Sequence, residues 1–157
     1  MIKEQDPMSG LQGLQKAIKS GYPMDRVVSG KEKDGVRFCS DVGGKRLTYA
    51  HISRKKVQSY IAFSAGDGLH ENEICFGIFY AVPVKLRGKN LMEKLLTIAI
   101  TDMKKTLKRN FHIEAIVDQS NDASNHIAKK LFGEVQKTSV DEISSEPVNA
   151  YYKLYAC

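Results

Sequence analysis

Tryptophan is absent from the 157 residues, and the three cysteines, Cys39, Cys75 and Cys157, stand far apart with no CxxC pair. An odd, widely spaced set argues against a disulfide scaffold or a thiolate metal site and fits a reducing cytoplasm. Cys39 and Cys75 lie in apolar runs and read as small buried hydrophobes. His51, His112 and His126 show no metal-ligand spacing with one another or with the cysteines, so no metal is expected. The first ten residues, MIKEQDPMSG, lack the apolar core of a signal peptide. No run reaches the length that spans a bilayer, so a soluble, cytoplasmic protein with no membrane partner is expected. Internal repeats, linkers and low-complexity stretches are missing too.

What is present is an ordinary globular composition, 42% hydrophobic with a formal charge of +6. The length suits one domain over 1–157. Lys and Arg gather at Lys31–Lys33, Lys45–Arg46, Arg54–Lys56, Lys85–Lys89, Lys104–Arg109 and Lys129–Lys130. Acids concentrate near the C-terminus, at Asp141, Glu142 and Glu146.

Residues 1–9 read as a frayed end. Leu11, Leu14, Gln15 and Ile18 then recur at helical spacing, and Gly21-Tyr22-Pro23 stops that helix. Strands are expected at Arg26–Ser29, Val36–Asp41, Arg46–Ser53 and Val57–Ala65, with turns at Lys31–Gly35, Val42–Lys45 and Gly66–Gly68. Glu73–Val84 is the most apolar run and buries both faces, as a central strand does. Leu91–Arg109 places Met92, Leu95, Leu96, Ala99, Met103 and Leu107 on one helical face. A strand at Phe111–Asp118 follows, then a short helix capped by Ser120 or Asn121, then strands at Glu134–Val140 and Val148–Tyr155. The order is helix, β-meander, long helix, strand, short helix and two strands, which is an α/β (α+β) domain with one mixed sheet.

The junction between the central strand and the long helix carries the strongest chemical signal. Its sequence, FYAVPVKLRGKNL, breaks from an apolar strand into Arg87-Gly88-Lys89 and enters a helix at Leu91. A helix start offers unpaired N–H groups and the positive end of its dipole, and the turn adds cations, so the junction suits a phosphate.

From Val36 to Tyr155 this pattern resembles the GCN5-related N-acetyltransferase (GNAT) superfamily. The resemblance rests on FYAVPVKLRGKNLMEKLL, on the spacing to IEAIVDQSNDASNHIAKKLFG, and on the closing NAYYKLY. It implies a mixed, mostly antiparallel sheet flanked by helices and splayed open beside the Arg-Gly turn, where acyl-coenzyme A lies. By position, the backbone of Val82 and Val84 pairs with the pantetheine arm. Arg87, Gly88, Lys89, Asn90, Leu91 and Met92 surround the diphosphate, and Asn121 and Ser124 reach the arm. Three positions depart from the family pattern. Asn90 replaces a glycine, Met92 replaces a glycine or alanine, and Ala128 stands where many members carry the tyrosine that protonates the thiolate.

The activity implied is transfer of an acetyl or other acyl group from acetyl-CoA to a primary amine of a small molecule, a protein or an aminoacyl-tRNA. Such chemistry needs a neutral amine and a stabilised leaving thiolate. Glu73, at the start of the central strand, is the expected base, with His70 and Glu71 in the same loop as lesser candidates. One of Tyr151, Tyr152 and Tyr155 is expected to replace the missing acid. Tyr152 is the choice for the site, although it shares a strand face with Val148, Ala150 and Leu154 and so also reads as core. The amine is expected to enter beside Asp141, Glu142 and Glu146.

Two other classes fit. A basic nucleic-acid-binding module would use Lys104, Lys105, Lys108 and Arg109 on phosphates and Tyr22 or Tyr49 on bases. A catalytically weak GNAT-like protein that binds coenzyme or a macromolecular partner is favoured by Asn90, Met92 and Ala128. A homodimer is compatible with each of these readings.

Overall fold

A computed structural model describes residues 6–22, 24–41, 43–66 and 74–157. The elements are α1 (Pro7–Lys19), β1 (Arg26–Lys31), β2 (Asp34–Asp41), β3 (Arg46–Ser53), β4 (Lys56–Gly66) and β5 (Ile74–Ala81), followed by a single 3-10 turn at Val84–Leu86. Then come α2 (Leu91–Leu107), β6 (Phe111–Asp118), α3 (Asp122–Phe132), β7 (Lys137–Val140) and β8 (Pro147–Tyr155). The strands lie in one mixed sheet in the order β1-β2-β3-β4-β5-β6-β8-β7. β5 runs parallel to β6, while the β1–β2, β2–β3, β6–β8 and β7–β8 pairs are antiparallel. The α/β class and the order of elements are as the sequence predicts.

Boundaries differ where side chains or turns intervene. α1 starts at Pro7, inside the stretch expected to be frayed, because Asp6 caps it by accepting the Met8 N–H at 3.2 Å. Pro7 suits a first helical position, where no backbone donor is missed. α1 ends in a Schellman motif: Gly21 has φ 87°, its N–H donates to the Ile18 carbonyl, and the Tyr22 N–H donates to that of Ala17. Pro23, Asp67 and Gly68, named above in turns, lie outside the described residues, as does Val42. The β1–β2 turn is tighter than predicted, since the pairing continues to Lys31↔Asp34. The central strand stops at Ala81, three residues short of Val84, because Pro83 lacks a ladder donor and the 3-10 turn begins directly after it. α2 ends at Leu107 and β7 begins only at Lys137, so each is shorter than its periodicity suggested.

By packing, the chain forms two units, Met1–Phe63 with Phe79–Thr106, and Ser64–Ile78 with Leu107–Cys157. In the first, Leu11, Met24, Cys39, Ala50, Ile52, Tyr60, Ala62 and Ala81 form a buried cluster, with Met8, Leu14 and Ile18 of α1 against it. Side chains alternate along a strand, so Tyr49 and its neighbours occupy the opposite face, which α2 covers. There Asp102 of α2 accepts both Arg26 guanidinium nitrogens, at 2.9 and 2.7 Å, and the Tyr49 hydroxyl at 2.7 Å. The Arg26 guanidinium also lies 4.5 Å from the centre of the Phe38 ring, which in turn packs on Tyr49. Tyr49 is 1% exposed and thus unable to stack on a base.

In the second unit, α3 turns Ala128 and Phe132 inward, and Phe111, Ile113, Ala115, Val117 and Tyr151 are buried with them. The opposite side of β6 carries His112, Glu114 and Ile116, and that of β8 carries Tyr152 and Leu154. All five are partly or fully exposed.

Burial opposes ionisation of Asp102, but hydrogen bonds from Arg26 and Tyr49 and the charges of Arg26 and Lys105 outweigh it and hold the carboxyl below its ordinary 3.8. A depressed carboxylate contributes stability above its unfolded pKa and loses it as pH falls through the folded value. Asp102→Asn is therefore expected to cost about 2 kcal/mol at pH 7, between the values for exposed and buried pairs, and much less below pH 3. Urea unfolding at the two pH values checks this. Equal losses at both would mean that the charge is idle.

Candidate active site

The strand–turn–helix junction belongs to the first unit. Pro83 leaves the chain extended, with φ −52° and ψ 140°, and the 3-10 turn closes through Leu86 N–H donating to the Pro83 carbonyl at 2.8 Å. Two residues then take left-handed backbone, Gly88 at φ 80° and Asn90 at φ 57°. Asn90 thus keeps the backbone angle that a glycine would favour, since Asn tolerates this region better than most residues. A Cβ built on Gly88 would meet nothing within 4 Å, so the turn stands open to a ligand.

Arg87, Gly88, Lys89 and Asn90 are exposed, and Leu91 is half-buried at the start of α2. Val84 is 70% exposed. Met92 is 5% exposed, with its side chain in the core, so its bulk does not fill the turn. The Val82 carbonyl accepts the Arg87 Nε–H at 3.3 Å, which already engages one of the groups expected to pair with the pantetheine arm. The dipole of α2 and the cations Lys85, Arg87 and Lys89 together make this end of the helix attractive to an anion.

In the second unit the Asn121 side chain caps α3 by accepting the Ser124 N–H at 3.1 Å, and Ser124 is half-buried. Both residues therefore hold the helix start in place. Next to them Asn125 accepts hydrogen bonds from Asn149 at 2.9 Å and from the Tyr151 hydroxyl at 2.6 Å, tying α3 to β8. Ala128 has 0% exposure, so the position matched to the family's tyrosine is filled by the core.

The tyrosines on β8 sort differently from the expectation of a core Tyr152. Tyr151, not Tyr152, is fully buried, because α3 covers its face of the strand. Tyr152 sits half-exposed on the other face, directly opposite Glu114 on β6, near enough for the phenol and the carboxylate to influence one another's ionisation. Burial pushes the Glu114 carboxyl up, against the Tyr152 hydroxyl and the Lys137 charge. Burial, and after it the Glu114 carboxylate, push the Tyr152 phenol up as well. Glu114 occupies the last position of the β5–β6 register, opposite Gly77. It is absent from the sequence-based candidates. Its signal was a carboxylate inside an alternating strand, FHIEAIVD, on the polar side.

Glu73, His70 and Glu71 lie outside the described residues. Asp141 closes its own turn by accepting the Ile143 and Ser144 N–H groups at 2.7 and 2.9 Å, and these bonds lower its pKa. Among the described residues no three His, Cys, Asp or Glu gather as a metal site, and no helix is long and apolar enough to cross a membrane.

No protein-family model and no curated protein matches the sequence. Solved structures do. An acetyltransferase of the GNAT family from Streptococcus pneumoniae matches with TM-score 0.57 and 15% identity over 71% of this chain and 68% of its own. The chain has the GNAT fold. The ribosomal-protein-S5-alanine acetyltransferase from Vibrio fischeri matches at 0.59 and 14%, over 71% of this chain and 62% of its own. A spermidine/spermine N-acetyltransferase from Vibrio cholerae matches at 0.58 and 13%, over 72% and 67%. The alignment thus spans about two thirds of these GNAT-fold proteins, and the fold that the motifs implied is the one observed.

The turn geometry and the packing of α3 give two expected outcomes. Gly88→Ala should lower stability by about 1 kcal/mol because an L side chain is strained at positive φ, whereas Asn90→Gly should be neutral or stabilising. Ala128→Tyr should cost 3 kcal/mol or more, roughly the upper end of overpacking in a filled core. Thermal unfolding of the three variants checks both, and a stable Ala128→Tyr protein would contradict the packing assigned to α3.

Proposed function

We propose that the protein is an acyl-CoA-dependent N-acyltransferase that moves an acetyl group to a primary amine. The observation that carries this reading is the open turn at Gly88–Asn90, two left-handed residues feeding the N-terminus of α2 within a GNAT fold. Backbone N–H groups of Gly88–Met92 would hold the diphosphate, with the Arg87 and Lys89 side chains screening its charge. Asn121 and Ser124 would contribute to the arm through the α3 start that they cap. Acetyl-CoA supplies the activated acyl group.

Glu114 and Tyr152 are the acid–base pair of this reading. The amine nitrogen attacks the thioester carbon, the carbon–sulfur bond breaks, and the surplus amine proton passes to the Glu114 carboxylate. Tyr152 gives its hydroxyl proton to the departing sulfur. Glu114 then returns a proton to Tyr152, its cross-strand neighbour, leaving an amide, a free thiol and the pair as it began. The raised Glu114 pKa makes it a stronger base than an ordinary carboxylate. Glu73 is retained as an alternative base. The acceptor is an amine of a small molecule, a protein or a tRNA-linked aminoacyl group, and the acidic Asp141–Glu146 turn would favour a cationic one.

A second reading, coenzyme binding without turnover, is favoured by the engagement of the Val82 carbonyl and by the buried Ala128. Calorimetry with acetyl-CoA, CoA and dephospho-CoA, paired with thiol release in the presence of polyamine and peptide amines, separates the two. Acetyl-CoA should bind, and Arg87→Ala should weaken it about ten-fold through loss of a charge-assisted contact at an exposed turn. Glu114→Gln and Tyr152→Phe should each lower kcat at least 100-fold with little change in coenzyme affinity. Activity should rise with pH through the Glu114 pKa, and that limb should vanish in Glu114→Gln. No binding at millimolar coenzyme would dispose of both readings. Binding without thiol release would leave the second.

A further inference from the structure

A cavity of about 570 Å³ opens in the first unit, away from the Arg87 turn, and shares no lining residue with it. Its floor is apolar, made by Ile18, Met24 and Ile52, and Tyr22 stands at its edge with 48% exposure. Around it come four cations, Lys33, Arg37, Arg54 and Lys55, against one acid, Glu32. The volume is that of a small-molecule site, and the lining has the usual division into an apolar bed and a few charged groups.

Three details indicate a built site. First, the Schellman motif at Gly21 fixes the Tyr22 backbone over the end of α1, so the ring is presented from a defined position. Second, Arg54 and Lys55 form the two-residue β3–β4 turn with φ 49° and 64°. Positive φ at both positions is the signature of a type I′ turn, which favours Asn-Gly and disfavours long side chains. Two cations therefore occupy a turn where backbone energetics select against them. Gln15 of α1 clamps that turn, donating to the Lys55 carbonyl and accepting the Val57 N–H, both at 2.8 Å, and the Arg54 N–H donates to the Lys33 carbonyl at 2.9 Å. Third, Arg37 donates to the Met24 carbonyl at 3.2 Å, while its buried Nε has no partner among the described residues. The bond to Met24 holds the Arg37 guanidinium at the cavity wall.

We infer that this cavity binds an organic anion of mononucleotide size, its aromatic or apolar body on Tyr22, Met24 and Ile52 and its phosphate or carboxylate among Lys33, Arg37, Arg54 and Lys55. Such a ligand neutralises the rim. A half-open cavity with four cations grouped on its lining fits a small molecule better than a polynucleotide.

The test uses the full chain with adenosine and guanosine monophosphates, a medium-chain carboxylate, inorganic phosphate and a short single-stranded RNA. Binding is followed by calorimetry beside thermal unfolding. The decisive variant is Arg54→Asn with Lys55→Gly, which removes two rim charges and installs the favoured turn. A mononucleotide or the carboxylate is expected to bind in the micromolar to submillimolar range, and the one that does identifies the head group and body. The double variant should weaken it at least ten-fold while raising the unfolding temperature and leaving acetyl-CoA affinity unchanged. Tyr22→Ala should weaken an aromatic ligand more than the carboxylate. The proposal is overturned if no small anion binds at millimolar concentration, if inorganic phosphate alone binds as well as the organic anions, if the double variant binds as tightly as the natural chain, or if RNA binds and monomers do not. Because acetyl-CoA is measured alongside, failure here is distinct from failure of the acyltransferase reading.

Discussion

Asp102 holds the first unit in register. α2 presents Met92, Leu95, Leu96, Ala99, Ile100 and Met103 to the core, and an apolar face of that kind resists separation far better than it resists sliding or rotation. The bidentate pair with Arg26 on β1 and the hydrogen bond from Tyr49 on β3 are directional, so they fix α2 along and around its axis. The start of the helix at Leu91, and with it the Gly88–Asn90 turn, inherits that placement. A carboxylate in the last turns of α2 thereby sets the position of the helix end that would face a diphosphate.

The same economy appears in the second unit. Asn125 joins α3 to β8 through Asn149 and Tyr151, while donating its own amide to the Asp118 and Asn121 carbonyls at 2.8 and 2.9 Å. With all of its polar capacity used inward, it leaves the reverse side of β6 and β8 as the place where Glu114 and Tyr152 can pair. Within the second unit, β6 and β8 therefore have one side packed under α3 and one side exposed, and the alternation of residues along FHIEAIVD and VNAYYKLY allots side chains to each.

Much of this was legible from local pattern. The strand–turn–helix junction, the helix stop at Gly21 and the Asn121 cap follow from turn and cap chemistry that operates within a few residues. Asn90 at positive φ follows from the same local rules. Non-local partners were not legible. Nothing near Glu114 in the chain indicates that Tyr152 stands opposite, because α3 and β7 intervene and the β6–β8 register is set by tertiary packing. Tyr151 and Tyr152 exchanged roles for that reason: alternation separates the two faces but does not say which one a helix covers. Asp102 did leave a trace, lying seven residues after Leu95 and three after Ala99 on the apolar stripe, where a carboxylate requires a partner. Its partners, Arg26 and Tyr49, come from distant strands.

Amide hydrogen exchange reads directly whether the α2 start holds the coenzyme diphosphate. Acetyl-CoA should slow exchange at the amides of residues 88–92, with the remainder of α2 changing little. Saturating coenzyme that leaves those amides unprotected, or that protects the Tyr22–Arg54 cavity in their place, would contradict diphosphate binding there.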